Sequence, residues 1–373
     1  MNTKLQIIAF YLPQYHPFKE NDEWWGKGFT EWTNVGKAKA LFKGHNQPRV
    51  PTELGYYDLR LPIIREQQAA MAREAGVTAF CYWHYWFGNG KRLIPEIFDE
   101  VLKSKKPDFP FCLGWANHSW YAKNWNADGS VSQKLLMEQT YPGIEDAKLH
   151  FKFLLNAFKD ERYVKIEGKP LLYIFAPQDL PHDYIINFRK WTKDFGFPDL
   201  YLVANIPSPK YSANDYLKDH LYDAVSYQRL GSFLHPGNTI KDKLIRRIQI
   251  LKKHIKGFIL HRPPRLEDYR KIYPQLITKD DYKEQVIPNL LPQWDHTPRS
   301  GWNGSLLIHA EPKYFYFHAK QAIECVKNKK NPILFLKSWN EWGEGNMMEP
   351  DITYGRGFIN ALRKAINDTN CKS

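Results

Sequence analysis

The chain has 373 residues, is 43% hydrophobic and 15% aromatic, and carries a formal charge of +13 at pH 7. This apolar content is ample for a large core, and the four cysteines show neither metal-ligand spacing nor a dense disulfide framework. Positive charge is concentrated between residues 241 and 271, where eleven Lys and Arg face three Asp and Glu. An excess of this kind indicates an anionic neighbour, but no nucleic-acid motif accompanies it, so nucleic acid is not a predicted partner.

The N-terminus enters a short strand instead of an apolar leader segment. No window reaches the roughly 18 to 20 apolar residues of a membrane span. We therefore expect a cytoplasmic protein.

Apolar runs of strand length alternate with amphipathic stretches of helix length along the chain. The predicted strands cover residues 5–11, 77–83, 111–116, 171–176, 200–205, 224–228, 287–294 and 333–339. The predicted helices cover residues 63–75, 94–105, 145–159, 183–195, 213–218 and 314–328. This alternation, repeated about eight times, predicts a single (β/α)8 TIM-type barrel over residues 1–373, with long insertions at 12–62 and 229–286. The glycine and phosphate-loop signatures of a nucleotide-binding sheet are missing from the sequence.

Two carboxylates stand just after the last predicted strand, in the segment LKSWNEWGEG (336–345). Glu341 and Glu344 lie among tryptophans at the end of an apolar run, where a barrel places its working residues. One carboxyl can donate a proton to a leaving oxygen while the other acts as a base, a nucleophile or a charge stabiliser, which is the equipment of glycosidic-bond chemistry. The alternative is that both are solvated residues opening a loop.

Polar and aromatic residues also follow the other predicted strands, and we expect them to line one opening that binds a sugar. The candidates are Tyr11, Tyr82, His84, Trp115, Asn117, Trp120, Asn205, Trp294, Asp295, Trp339 and Asn340. Each one alone could equally be a satisfied core group. His16, His84 and His118 with Asp295 could in principle form a zinc site, but they lack metal-site spacing, so no metal and no cofactor is predicted. The sequence contains no G-x-S-x-G elbow, so a serine hydrolase is not predicted.

Several longer segments carry a family resemblance: FYLPQYHP (10–17), EWTNV (31–35), GHNQP (44–48), LGYYDLR (54–60) and WDHTPR (294–299). They resemble the WbsX family, which is associated with bacterial O-antigen and polysaccharide loci and has been labelled glycosyltransferase. The segment WNEWGEG (339–345), followed by Glu349 and Pro350, is similar to the active-site segment of glycoside hydrolase family 99, a barrel family of endo-acting α-mannosidases and α-mannanases. The resemblance implies that Glu344 is the general acid/base. It also implies that Glu341 acts on the sugar 2-hydroxyl, so that the configuration is retained through a 1,2-anhydro sugar.

Residues 240–256 combine an apolar helical stripe with seven Lys and Arg. Such a helix either packs on the barrel with its charges in solvent or makes peripheral contact with an anionic membrane surface, which here would be the inner membrane. The second interpretation would suit an enzyme that meets a lipid-linked glycan.

Three functions compete at this point. The first is an enzyme that cleaves or transfers a glycosidic bond in bacterial surface-polysaccharide metabolism, with an oligosaccharide or lipid-linked glycan as substrate. The second is a glycosyltransferase of O-antigen or lipopolysaccharide assembly on the same scaffold. The third is a catalytically silent glycan-binding protein, which has no need for the carboxylate pair.

Overall fold

A computed structural model describes residues 4–125, 131–207, 211–234 and 265–370. Its centre is a parallel sheet of eight strands, each close to a predicted one. The strands are β1 (Gln6–Tyr11), β2 (Ala79–Trp86), β3 (Phe111–Trp115), β4 (Lys169–Ile174), β5 (Tyr201–Ile206), β6 (Ala224–Tyr227), β7 (Asn289–Leu290) and β8 (Ile333–Leu336). The seventh strand is much shorter than predicted, because the chain leaves the sheet after Leu290.

The strand order is β6-β5-β4-β3-β2-β1-β8-β7, and the two edges of this sheet meet. A parallel bridge joins Val225 to Val286, and the side-chain amide of Asn289 donates to the Ser226 hydroxyl at 2.8 Å. The sheet is therefore nearly closed as a barrel, which confirms the predicted fold class.

Helices cover the outside of the barrel between successive strands. They are α1 (Pro62–Ala75), α2 (Glu96–Ser104), α3 (Ile144–Phe158), α4 (His182–Asp194), α5 (Ala213–Leu217), α6 (Pro312–Val326) and α7 (Gly357–Asn370). The first six match the predicted helices to within about two residues at each end. The sequence analysis missed α7 and the hairpin of Trp120–Trp125 with Val131–Met137, which lies between β3 and α3.

Alternate residues of each strand point to opposite sides of the barrel wall. Phe10, Trp83, Tyr173 and Phe335 come from four different strands and contact one another, so they fill the interior. Their neighbours in sequence face the helices. Because side chains alternate with a period of two, this division decides which strand-end residues can reach a site at the barrel mouth.

Insertion 12–62 contains the helices Lys19–Trp25 and Glu31–Lys37. A buried ion pair between Arg49 of this insertion and Asp351, at 2.7 Å, fixes the part of the insertion that leads back to the barrel. The second insertion contains the helices Leu230–Leu234 and Tyr269–Ile272. It also contains the short strand Leu266–Asp268, which pairs with the strand Leu306–Ile308 beyond the insertion. The basic stretch 240–256 lies outside the described residues. Across the described ranges, none of the helices is both long enough and apolar enough to cross a bilayer.

Candidate active site

Glu341 and Glu344 lie in a small hairpin just beyond β8. The strand Asn340–Glu341 pairs antiparallel with Asn346–Met347, and the 3-10 turn Trp342–Glu344 joins them. Gly345 closes the turn with a φ of +53°, and a Cβ there would meet the backbone and Cβ of Asp295. Glycine is therefore required at this position by both its backbone conformation and its surroundings.

One guanidinium holds both carboxylates. Arg299 donates from Nη2 to Glu341 Oε1 at 2.9 Å and from Nη1 to Glu344 Oε1 at 2.8 Å. Its Nη2 also lies 3.0 Å from Glu31 Oε2, and its Nε donates to the same oxygen at 3.2 Å. Arg299 thus joins the hairpin after β8 to the helix Glu31–Lys37 of the first insertion. Charge-assisted bonds of this type are stronger and more directional than neutral ones.

Gly343 allows this contact because it has no side chain. A Cβ at residue 343 would overlap Glu31 Oε2 and Arg299 Nε. The backbone of the turn between the two glutamates therefore packs directly on the ion pair of Arg299 with Glu31.

Two further basic side chains stand near the pair. His296 Nε2 is 3.8 Å from Glu344 Oε1, and the ring packs beside Trp294. Lys337 donates to Gln228 Oε1 at 2.9 Å and lies over the Trp294 ring. Burial lowers the pKa of Lys337, while the charges of Glu344 and Glu341 act in the opposite direction.

The two glutamates have different proton affinities. Burial raises the pKa of Glu341 to about 8. The charges of Glu344 and Glu31 also raise this pKa, whereas the charge of Arg299 lowers it. Burial acts in the same direction on Glu344, but Arg299, His296 and Lys337 outweigh it and hold the pKa of Glu344 below its usual range. Near neutral pH the pair therefore shares one proton. Carboxyls whose pKa values are pushed apart are suited to acid and base roles.

Asp295 supports the hairpin from beneath and does not face the pair. Its carboxylate accepts from His45 Nε2 at 2.8 Å, from Gln47 Nε2 at 2.7 Å and from the Thr297 hydroxyl at 2.6 Å. Burial raises the pKa of Asp295, but these bonds outweigh it and lower the pKa overall. The Asp295 backbone N–H donates to the Glu344 carbonyl at 2.7 Å. Asp295 thus lies beside the site, but its acceptor sites are used by the protein itself.

Four of the predicted binding residues face the helix layer and do not reach the carboxylates. Tyr11 donates to Gln68 on α1 at 2.6 Å, and Tyr82 packs on Phe98 of α2. His84 Nε2 lies 2.9 Å from His150 Nε2 on α3, and Trp115 packs on the same histidine. These placements correct the sequence prediction. Tyr82, His84 and Trp115 precede or follow interior residues such as Trp83, so the alternation turns them outward.

Four other predicted residues are buried inside the protein. The Asn117 amide donates to the Ala176 carbonyl and accepts from the Ala176 backbone N–H. The Asn340 amide makes the same two hydrogen bonds with the backbone of Leu12. Asn205 accepts from the Tyr173 hydroxyl and donates to the Phe175 carbonyl. Trp339 is fully buried and packs near Phe80. The three amides therefore order the loops at the barrel mouth and have no surface to offer a ligand.

Trp120 and Trp294 are the two remaining predicted binding residues. Trp294 contacts His296 and Lys337, as described above, and its indole N–H donates to Ser305 at 3.0 Å. Trp120 packs edge-on against Tyr85, whose hydroxyl accepts from Gln14 at 2.9 Å. Burial raises the pKa of Tyr85, and the charge of Glu341 contributes, which places Tyr85 within electrostatic range of the pair.

Sequence reasoning missed Arg299, Glu31, His296, Lys337 and Tyr15 as members of the site. Tyr15 accepts the Trp342 backbone N–H at 2.9 Å. All but Lys337 lie in the segments that carry the family resemblance, which was the available signal, although it assigned them no role. In the part of the chain that the structure describes, no group of three or more His, Cys, Asp or Glu side chains could hold a metal ion.

Comparison with known proteins gives a family and a fold. The family described as "Glycosyltransferase WbsX" matches residues 7–362. The "Uncharacterized protein WxcX" of Xanthomonas campestris pv. campestris is 31% identical over 369 residues, in two strains. The match covers 96% of this chain and 49% of the relative, so the chain spans about half the length of these curated relatives.

Among solved structures, the GH99 endo-alpha-mannosidase from Bacteroides thetaiotaomicron, in complex with bis-tris-propane, aligns with a TM-score of 0.57 at 15% identity over 99% of both chains. A "Glycoside hydrolase-like protein" aligns with a TM-score of 0.55 at 14% identity, over 98% of this chain and 94% of the other. At these identities the similarity shows a shared fold.

Proposed function

The chain belongs to the glycosyltransferase WbsX family, and from this membership and the bridged carboxylate pair we propose that it cleaves or transfers a glycosidic bond at Glu341 and Glu344. The family and the GH99-like barrel indicate a carbohydrate-active enzyme. The observation that carries the proposal is the single guanidinium of Arg299, which keeps two carboxyls of different proton affinity side by side at the end of β8. A glycan-binding protein without activity would gain nothing from this costly group of buried charges.

Exposure suggests how the two carboxyls divide the work. The Glu344 side chain is 20% exposed and lies beside His296, whereas the Glu341 side chain is 10% exposed. We assign to Glu344 the proton transfer to and from the leaving and incoming oxygens, since this group must exchange protons with the outside. We assign to the deeper Glu341 the contact with the sugar ring, where it takes the proton of the 2-hydroxyl as that oxygen attacks the anomeric carbon and the bond to the leaving oxygen breaks.

The 1,2-anhydro sugar formed in this way is opened in the second step. Water or an acceptor hydroxyl attacks the anomeric carbon and gives its proton to Glu344, while Glu341 returns a proton to the 2-oxygen. The scheme needs the shared proton on Glu344 at the start, so substrate binding must draw it to that carboxyl. The total charge of the pair and Arg299 is unchanged by this transfer.

The substrate class is proposed from the aromatic side chains. Trp120 and Trp294 offer flat apolar surfaces, which fit sugar faces. We propose a glycan of bacterial surface-polysaccharide metabolism, free or lipid-linked. Mannose-configured probes come first in the test, because the solved GH99 neighbour is described as an endo-alpha-mannosidase.

The test compares Glu344→Gln and Glu341→Gln on glycosides with poor and with activated aryl leaving groups, in mannose, rhamnose and fucose configurations. Glu344→Gln should lower turnover of poor leaving groups by about 10²- to 10⁴-fold but spare activated aryl glycosides, which need little protonation. Glu341→Gln should slow both kinds. Glu66→Gln, at an exposed position on α1, is the matched control and should behave as the wild type. Full activity of both site variants would exclude this site, and a covalent adduct of a 2-fluoro glycoside on Glu341 would exclude the 1,2-anhydro scheme.

A further inference from the structure

A third buried acid lies behind the carboxylate pair and has no part in the chemistry proposed above. Glu349 is 3% exposed and accepts hydrogen bonds from three neutral groups. Trp342 Nε1 and the Tyr57 hydroxyl donate to its Oε2 at 2.6 and 2.8 Å, and Gln68 Nε2 donates to its Oε1 at 2.6 Å. Burial raises the pKa of Glu349 to about 7, although these three donors and the nearby Trp339 side chain act in the opposite direction.

One of these donors belongs to the catalytic hairpin itself. Trp342 stands between Glu341 and Glu344 in the 3-10 turn, and it is 1% exposed. Its backbone N–H donates to the Tyr15 hydroxyl, and its ring packs on Trp32 at a centroid distance of 5.5 Å. The indole N–H is thus held by Glu349, and the indole ring packs against Trp32 of the helix that carries Glu31.

The other two donors attach Glu349 to fixed parts of the fold. Gln68 is on α1 and accepts from the hydroxyl of Tyr11 on β1, so a chain of side-chain bonds runs from the barrel wall to Glu349. Tyr57 belongs to the first insertion. Glu349 therefore connects the catalytic turn, through Trp342, to the barrel wall through Gln68 and to the insertion through Tyr57.

We propose that Glu349 is a positioning residue that fixes the Glu341 and Glu344 carboxylates through the indole of Trp342. The inference rests on the proposed function of that pair. The carboxyl accepts from the indole N–H at 2.6 Å and is itself bonded to Gln68 and Tyr57, so it can fix the position of the indole. A displacement of about 1 Å at reacting groups can cost about 10²-fold in rate, so the hairpin that carries both working carboxyls benefits from such an anchor.

Tyr57 supplies a matched control, because it donates to the same oxygen of Glu349 but is not part of the turn. Trp342→Phe and Tyr57→Phe each remove one donor to Glu349 and keep an aromatic ring. If Glu349 acts only on stability, the two variants should behave alike. If it positions the pair, only Trp342→Phe should lower kcat, by about tenfold or more, with KM changed by less than about twofold.

Variants of Glu349 complete the experiment. Glu349→Leu should lower kcat as Trp342→Phe does, and the double variant should be no slower than the slower single one, because both break the same link. Glu349→Gln should stay within about threefold of the wild type, since its amide oxygen still accepts from Trp342 and Gln68 can flip to accept from its amide nitrogen. Equal losses of kcat in Tyr57→Phe and Trp342→Phe, or losses that multiply in the double variant, would overturn the inference.

Crystal structures separate this inference from the proposed function. In Glu349→Leu, or in Trp342→Phe if the first does not fold, the bonds from Arg299 to Glu341 and Glu344 should lengthen or break, whereas in Tyr57→Phe they should stay intact. Intact bonds in all three variants would contradict the positioning role whatever the activity. An inactive wild type with the expected displacement would instead contradict the proposed function alone.

Discussion

Replacing Arg299 with Met tests whether one guanidinium sets the protonation of the pair. The substitution keeps most of the side-chain volume and removes the charge that contacts Glu31, Glu341 and Glu344 at 2.8 to 3.0 Å. Arg299 lowers the pKa of both Glu341 and Glu344. Without it, both pKa values should rise.

The loss of stability can be worked out from the contacts. All three carboxylates are at least four-fifths buried, and removing one partner of a buried ion pair costs about 3 to 5 kcal/mol. For a chain of 373 residues this corresponds to a fall in Tm of about 4 to 6 °C. The fall should be larger at pH 8 than at pH 5, because protonation relieves the repulsion among the carboxylates at the lower pH.

The assay is the pH dependence of kcat/KM, with Arg189→Met as control. Arg189 on α4 also joins two carboxylates, Asp199 at 3.1 Å and Asp223 at 2.6 Å, and is 15% exposed. Activity that needs one proton on the pair should fall above about pH 8 and, on the acid side, below pH 4.5 in the wild type. Both limbs should move to higher pH in Arg299→Met and stay in place in Arg189→Met. Unmoved limbs in Arg299→Met, with a lower Tm like that of the control, would refute the role given to Arg299.

Two further predictions concern the same cluster. The folded-state pKa of Glu341 is raised from 4.5 to about 8, so its contribution to stability is complete below pH 4.5 and is lost as the pH rises to 8, on the order of 5 kcal/mol at most. In Glu341→Gln the free energy of unfolding in urea should therefore decline less between pH 5 and pH 8.5, and a slope equal to that of the wild type would contradict the burial of this charge. Gly343→Ala should lower kcat/KM by about tenfold or more because its Cβ overlaps Glu31 and Arg299. Gly36→Ala, with open space around it, should leave activity unchanged and stabilise its helix by up to about 1 kcal/mol; equal activity of the two alanine variants would contradict the packing described for the turn.

The fold could be predicted from the sequence because barrel strands are buried on both faces and the helices between them are amphipathic. Both features leave strong local patterns, and all eight strands were located. The elements that were missed have weaker patterns. The hairpin beginning at Trp120 lies outside the sheet, and α7 follows a stretch after Gly345 that shows no helical period until residue 357.

The candidate site was predictable only in part. Proximity to a strand end identified Glu341 and Glu344, but it does not say which way a side chain points, so Tyr11, Tyr82 and His84 were assigned to the wrong side of the wall. Arg299 could not be found by position, since it reaches the pair from a short helix after β7. Glu31 belongs to an insertion and lies 268 residues before Arg299 in sequence, so only tertiary structure brings the two together.

The most direct test of the central claim is the position of a sugar ring in the crystal. Crystals soaked with mannose-, rhamnose- and fucose-configured iminosugars should show a bound ring within hydrogen-bonding distance of both Glu341 and Glu344, with its flat face toward Trp120 or Trp294. Glu344→Gln should weaken that binding, because an iminosugar cation is attracted by the ionised carboxyl of the pair, and Glu341→Gln should weaken it by altering the contact with the ring. A ring bound elsewhere on the barrel, with affinity unchanged in both Gln variants, would contradict the assignment of this pair as the site of glycosidic-bond chemistry.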